Sequence, residues 1–229
     1  MNWEEGEVLL VDKPLHWTSF DVVNKLRYSI SRKAGKRMKV GHAGTLDPLA
    51  TGLLIICAGK MTKRIDEFTG MDKEYTGTFM LGATTPTYDS ETQPDELFPT
   101  SHITEDQLKA VKEKFIGPLQ QIPPVYSAIK VDGKVAYNQA RKGKEIELKP
   151  RSVCIHEFEL TRIELPEIDF KVTCSKGTYI RSLAFDYGKA LESGAYLKAL
   201  TRTRIGNFKL ADALSVNEWV AKIQEPPEE

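Results

Sequence analysis

The sequence predicts an α+β fold built on a mixed, mainly antiparallel sheet flanked by helices and loops. Strand-like runs interleave with amphipathic helical runs along the chain, several strand runs are near enough in sequence to be hairpin neighbours, and no internal repeat is evident. At 229 residues the chain can bury a real core, as one large domain or two small ones.

Each element has a local reason. Gly6 to Asp12 (GEVLLVD) reads as a short buried strand. Val22, Val23, Leu26 and Ile30 then recur at helical spacing, with Thr18 or Ser19 as the N-cap. A strand is expected from Leu53 to Ala58, a helix across Met61 to Thr69, and a strand over Glu74 to Leu81. Ala83 to Glu96, acidic and rich in Thr and Pro, reads as a loop. Thr104 opens a capped helix with Leu108, Val111 and Phe115 on one face, and Gly117-Pro118 stops it. Gln120 to Arg151 changes texture: Pro123-Pro124, a turn at Asp132-Gly133, a short amphipathic helix near Ala136 to Lys142, and many basic residues. Strands follow at Ser152 to Glu164 and Ile168 to Ser175, then a turn entering a helix over Gly177 to Leu191. Tyr196 to Phe208 reads as loop and strand, and Val216 to Ile223 as a final helix.

Composition narrows the function classes. No run approaches the roughly 20 apolar residues of a membrane helix, and MNWEEGEVLL lacks the basic and apolar regions of a signal peptide. Cys57, Cys154 and Cys174 are odd in number, widely spaced and set in apolar or strand-like runs, so buried free thiols are expected and a metal site is not. The expectation is a soluble cytoplasmic protein without metal. Net charge is zero, but basic residues segregate. Lys25, Arg27, Arg32, Lys33, Lys36, Arg37 and Lys39 form one cluster without an intervening acid; Lys130, Lys134, Arg141, Lys142, Lys144, Lys149 and Arg151 form a second. The balancing acids collect at the N-terminus, between Asp89 and Asp106, and in the tail EPPEE. A local positive field is enough to bind phosphates at zero net charge.

The stretch KVGHAGTLDPLATGLLIICAGK, Lys39 to Lys60, is the most informative. It places one carboxylate, Asp47, among Gly41, Gly44, Pro48 and Gly52, before an apolar run. Glycine permits positive φ or close approach and proline fixes φ, so the acid is expected on shaped backbone. An Asp-Pro turn capping a buried strand is the simpler reading of the same residues.

GHAGTLDPLATGLL resembles the catalytic loop of the TruB-type tRNA pseudouridine synthases. The resemblance extends over nearly the whole chain and in the family's order. LLVDKPLHWTSFDVV is similar to its N-terminal signature, DKEYTGTFMLGATTPTYD to the next strand and loop, PPVYSAIKVDGKVAYNQARKG to the RNA-gripping thumb insertion, and CSKGTYIRSLAFDYG and YLKALTRTRIGNF to two further active-site segments. It implies the pseudouridine synthase catalytic fold as a single domain over 1–229, with the thumb at about 120–151. Many members continue into a C-terminal PUA module, which is expected to be missing here because the chain ends at Glu229.

The activity implied is isomerisation of the T-loop uridine at tRNA position 55, by an intramolecular transferase needing neither cofactor nor metal. By resemblance, Asp47 is the nucleophile, attacking C6 of the base or C1′ of the ribose. Arg181 in GTYIR is its matching cation, whose planar guanidinium would pair with Asp47 and lower its pKa. Tyr75 matches the residue that stacks on the flipped base and is a proton acceptor candidate. Tyr179 and Leu200 match further pocket residues, and His42 the wedge that replaces flipped nucleotides. Lys36 and Arg37, with the rest of the two basic clusters, would contact phosphates. The partner implied is the folded T-arm of tRNA, read by shape, with no membrane and no protein partner, the enzyme acting as a monomer. A non-catalytic tRNA-folding chaperone is the alternative. It is disfavoured because Asp47, Tyr75 and Arg181 are all present. A glycosidase would need a second carboxylate in these motifs, and a guide-RNA-dependent relative would carry the PUA module.

Overall fold

In chain order the elements are β1 (Glu7–Lys13), α1 (Ser19–Lys33), β2 (Val40–Ala43), β3 (Ala50–Ala58), a 3-10 turn (Gly59–Arg64) leading into α2 (Ile65–Gly70), and β4 (Lys73–Leu81). Then follow β5 (Ala83–Thr84), β6 (Glu96–Leu97), α3 (Glu105–Glu113), β7 (Gly117–Gln121), β8 (Lys130–Val131), β9 (Lys134–Val135) and α4 (Ala136–Ala140). The last third holds β10 (Arg151–Glu164), β11 (Glu167–Cys174), α5 (Ile180–Ala190), β12 (Ala195–Ile205), β13 (Phe208–Lys209), a 3-10 turn (Leu210–Asp212), β14 (Leu214–Ser215) and α6 (Val216–Gln224). The structure is a computed structural model that describes residues 1–229 except 4, 128, 132, 141–145, 147 and 226–229. It divides into two units, Met1–Tyr75 with Leu200–Glu229, and Thr76–Ala199.

The first unit is organised by β3. Its strand order is β14-β1-β3-β12. β1 runs antiparallel to β3 from Glu7↔Ala58 to Lys13↔Gly52, β14 joins β1 in parallel, and β12 joins β3 in parallel at Leu200↔Ala50. Leu54, Ile56 and Ala58 face one core with Val22, Leu26 and Ile30 of α1 and Val216 and Ile223 of α6. Leu53, Ile55 and Cys57 face a second, with Ala43, Phe68 and Ile205. Both faces of β3 are therefore buried, which is why its sequence is a continuous apolar run and not an alternation. The strand starts at Ala50, three residues earlier than Leu53, because β12 supplies a partner for Ala50 to Gly52. β2 was not anticipated; it is a short antiparallel partner of β3, Val40↔Ala58 to Ala43↔Ile55. Thr18 is the N-cap of α1, in a capping box with Asp21. The helix expected over Met61 to Thr69 is divided between the 3-10 turn and α2.

In the second unit the order is β4-β11-β10-β7. β10 pairs antiparallel with both β11 and β7. Phe79 stacks on Phe170 at 4.1 Å and meets Phe158 and Tyr187 edge-on or tilted, and the Tyr187 hydroxyl donates to Leu108 O at 2.9 Å, tying α5 to α3. Thr104 caps α3 in a box with Gln107. The helix ends at Glu113 with Lys114 as its C-cap, so it stops short of Phe115 and of Gly117-Pro118, which instead open β7, a strand the sequence did not reveal. The Ala83 to Glu96 segment is mostly loop, pinned by the β5-β6 pair, but Thr85, Thr87 and Asp89 inside it are buried. Lys130–Val131 and Lys134–Val135 pair as a hairpin around the expected turn. Asp132 of that turn, and Arg141, Lys142 and Lys144 of the second basic cluster, lie outside the described residues. Cys57 and Cys174 are buried free thiols; Cys154 is half-exposed, contrary to the expectation for all three. No helix among the described residues is long and apolar enough to cross a membrane.

Candidate active site

Asp47 lies in the connection between β2 and β3, half-buried, and the loop around it is held by hydrogen bonds within the first unit. Its own carbonyl accepts from Ala50 N at 3.0 Å, and the Pro48 carbonyl accepts from His16 N at 2.8 Å. Ser19 Oγ accepts from Leu46 N at 2.8 Å and donates to Leu46 O at 3.1 Å, fixing the residue before the acid. Arg202, 1% exposed, donates through Nε to Leu53 O at 2.8 Å and through Nη2 to Gly44 O at 3.1 Å. One guanidinium thus joins both arms of the loop. Gly44 and Gly52 have φ of +92° and +99°, and a side chain at Gly52 would run into the backbone of Arg202.

Lys13 is fully buried at the end of β1, and its Nζ donates to Trp17 O at 2.6 Å and Pro14 O at 3.0 Å, in the connection to α1. Burial pulls its pKa down to about 8; the charge of Asp47 opposes that fall and the charge of Arg202 adds to it. Lys13 and Asp47 are therefore electrostatically coupled.

His42 stands on β2 opposite Ile56. Burial lowers its pKa, the Arg202 charge lowers it further, and the Gly44 backbone works weakly against them. The ring is neutral at physiological pH. Its Nδ1 is buried with no hydrogen-bond partner of good geometry among the described residues. Tyr75 is 8% exposed on β4, and Leu200 is half-buried on β12. Thr203 Oγ1 joins the strands on which they lie by donating to Glu74 Oε1 at 2.8 Å. The first unit thus holds His42, Asp47, Tyr75 and Leu200.

Arg181 and Tyr179 belong to the second unit, at the start of α5. Arg181 is 5% exposed; Nη1 donates to Tyr126 O at 3.0 Å and Thr87 O at 3.2 Å, and Nε lies 3.7 Å from Asp89 Oδ2. Asp89 is oriented in turn by Thr87 Oγ1 at 2.6 Å and Glu91 N at 3.0 Å. Gln121, 1% exposed, holds the Tyr179 backbone from both sides, accepting from its N at 2.8 Å and donating to its O at 3.0 Å. Ser182 Oγ adds a bond to Ile122 O at 2.7 Å. Lys36 and Arg37 are exposed in the connection from α1 to β2.

Sequence reasoning missed Ser19, Lys13, Arg202, Asp89 and Gln121. Asp89 was counted only among the acids that balance the basic clusters, whereas it is buried beside Arg181. The usable signal was that Asp89, Lys13 and Arg202 lie inside TYD, DKP and TRTR, within segments that match the family's motifs.

Residues 32–180 match the TruB family pseudouridylate synthase N-terminal domain. The tRNA pseudouridine synthase B of Phocaeicola vulgatus is 59% identical over 224 residues, covering 96% of this chain and 95% of that protein. That of Flavobacterium johnsoniae is 56% identical over 222 residues, covering 96% and 97%. Among solved structures, a Cbf5-Nop10-Gar1 complex matches with TM-score 0.73 and 28% identity over 95% of this chain; this chain spans 54% of the matched one. A mixed sheet of this topology, with one carboxylate on a braced loop, defines a pseudouridine synthase, an isomerase. The chain belongs to the TruB family of pseudouridylate synthases.

Proposed function

We propose that this enzyme isomerises the uridine at position 55 of the tRNA T-loop to pseudouridine, with Asp47 as nucleophile. The observation that supports it is the braced Asp47 loop, in a chain more than half identical to proteins named tRNA pseudouridine synthase B. The reaction breaks the C1′–N1 bond, forms C1′–C5, moves a proton onto N1 and releases the C5 proton. Atoms and electrons balance without a cofactor.

Asp47 attacks C6 or C1′, and the loop bonds keep the carboxylate aimed. Tyr75 offers its ring to the extruded base, where stacking offsets roughly 1–3 kcal/mol of the flipping cost. By the resemblance, Arg181 is the catalytic cation, and Tyr179 and Leu200 each match a residue that contacts the nucleotide. Neutral His42 enters the T-loop as a flat, stackable wedge. Lys36 and Arg37 contact phosphates. The two units act as one catalytic domain, a monomer working in the cytoplasm on the T-arm alone.

The test is conversion of an unmodified tRNA transcript, with pseudouridine mapped at every uridine by selective chemical labelling. Conversion at position 55 alone is expected. Conversion elsewhere, or none, contradicts the assignment.

A further inference from the structure

A basic groove of about 460 Å³ lies at the head of β2, within the first unit. Three cations line it, Arg27, Arg37 and Lys39, together with an apolar floor of Met38, Val40 and Ile65, and no carboxylate is among its lining residues. We propose that this groove is a nucleotide subsite. It seats one nucleotide of the RNA substrate beside the segment that His42 enters, with the phosphate among the three cations and the base or ribose face on the apolar floor. The proposal rests on the reading that RNA is the substrate.

Four features carry it. The volume falls in the range of small-ligand pockets. Gly41, which closes one side, is the residue before His42, and its Cα faces the end of the Ile65 side chain on the apolar floor, where an added Cβ would stand 2.8 Å from Ile65 Cδ1. Lys39 to His42 is three residues of extended chain, about 10 Å, so a nucleotide in the groove and one displaced by His42 are near neighbours on a strand. Arg27 also lies over the Phe20 ring, with Cζ 5.9 Å from its centroid, and bonds Asn24. Phe20 is 59% exposed. An exposed aromatic ring beside cations is the arrangement that tolerates any base.

Charge selects the occupant. The larger groove, about 640 Å³ in the second unit, is lined by Asp95, Glu96 and Glu192 against a single Lys189 and would repel a polyanion. The groove by β2 has the opposite sign throughout.

The experiment is hydroxyl-radical footprinting of unmodified T-arm RNA bound to wild type, to Arg27→Gln/Lys39→Gln and to Ile65→Trp, with binding measured across a salt series. Both variants should lose protection at the same one or two consecutive nucleotides and keep it elsewhere. The charge variant should also bind about tenfold more weakly, with its log–log salt slope flatter by about 1.5, at roughly 0.7–0.9 per lost phosphate contact. Ile65→Trp should weaken binding without changing the slope. Unchanged footprints overturn the subsite, and so does a uniform loss of protection, which would mean diffuse attraction only. The charge variant alters only polar head groups and decides the matter if Ile65→Trp fails to fold. Failure of wild type to bind T-arm RNA would refute the functional reading itself, a result distinct from intact binding with unaltered variants.

Discussion

Ser19 and Leu46 exchange two hydrogen bonds, the Ser19 hydroxyl accepting from the Leu46 amide at 2.8 Å and donating to its carbonyl at 3.1 Å. The pair is buried and spans 27 residues of sequence. It anchors the start of α1 to the residue before Asp47. Loss of this brace frees the carboxylate without touching RNA. Ser19→Ala should therefore lower kcat about 10- to 100-fold, the scale of a 1 Å misplacement, while KM for tRNA stays nearly constant. Steady-state kinetics checks it, and a change confined to KM would contradict it.

Arg202 does for both arms of the loop what Ser19 does for one. Arg202→Lys keeps the charge but cannot reach Gly44 O and Leu53 O with a planar fork. We expect kcat to fall in Arg202→Lys while the His42 titration stays low, because burial and the retained charge both persist. Arg202→Met removes the charge, so the His42 pKa should rise toward its ordinary value in that variant. Ring-proton NMR across pH separates the two. Equal His42 titration in both variants would show that Arg202 does not set the field there.

Lys13 reports on Asp47. Its pKa of about 8 reflects burial opposed by the Asp47 charge, so Asp47→Asn should push it lower still. The sign for stability follows from proton counting. Between about 8 and 10.5 the unfolded chain binds a proton at Lys13 that the folded chain does not, so stability gained from this residue rises with pH across that window. Lys13→Met should abolish that rise in denaturant melts taken at several pH values. A rise of the same size in the variant would assign it to another group.

Asp186 on α5 behaves in the opposite way. Burial lifts its pKa to about 6, with Lys189 pulling weakly downward. Between 3.8 and about 6 the folded state holds a proton that the unfolded state has lost, so this contribution is present at low pH and disappears as pH rises through 6. Asp186→Asn should raise the melting temperature at pH 7 and change it little at pH 4. A lower melting temperature at pH 7 would mean that the carboxylate has a stabilising partner.

Most of the fold was legible because the decisive patterns are local. The helix starts at Thr18 or Ser19 and at Thr104, and the apolar run of β3, are read directly from spacing. β2, β7 and the first three residues of β3 were not legible: β7 and the start of β3 become strand through partners distant in sequence, and β2, though paired with the next strand, is a short Gly-containing run with little strand preference of its own. Asp47 was legible through its glycines, two of which do take positive φ. Its braces were not. Arg202 and Gln121 look like surface residues until strands separated by 149 and 58 residues from their partners bury them. Asp89 was hidden for the same reason, inside a loop that reads as solvent-facing.

Whether Asp47 carries out the isomerisation is read from tritium release by C5-labelled uridine in T-arm RNA. Wild type should release tritium in step with pseudouridine formation. Asp47→Asn, nearly isosteric, should release none above the enzyme-free background while binding the RNA within about threefold of wild type, since it removes a group used only in the reaction. Release by Asp47→Asn at a rate near wild type would contradict the account.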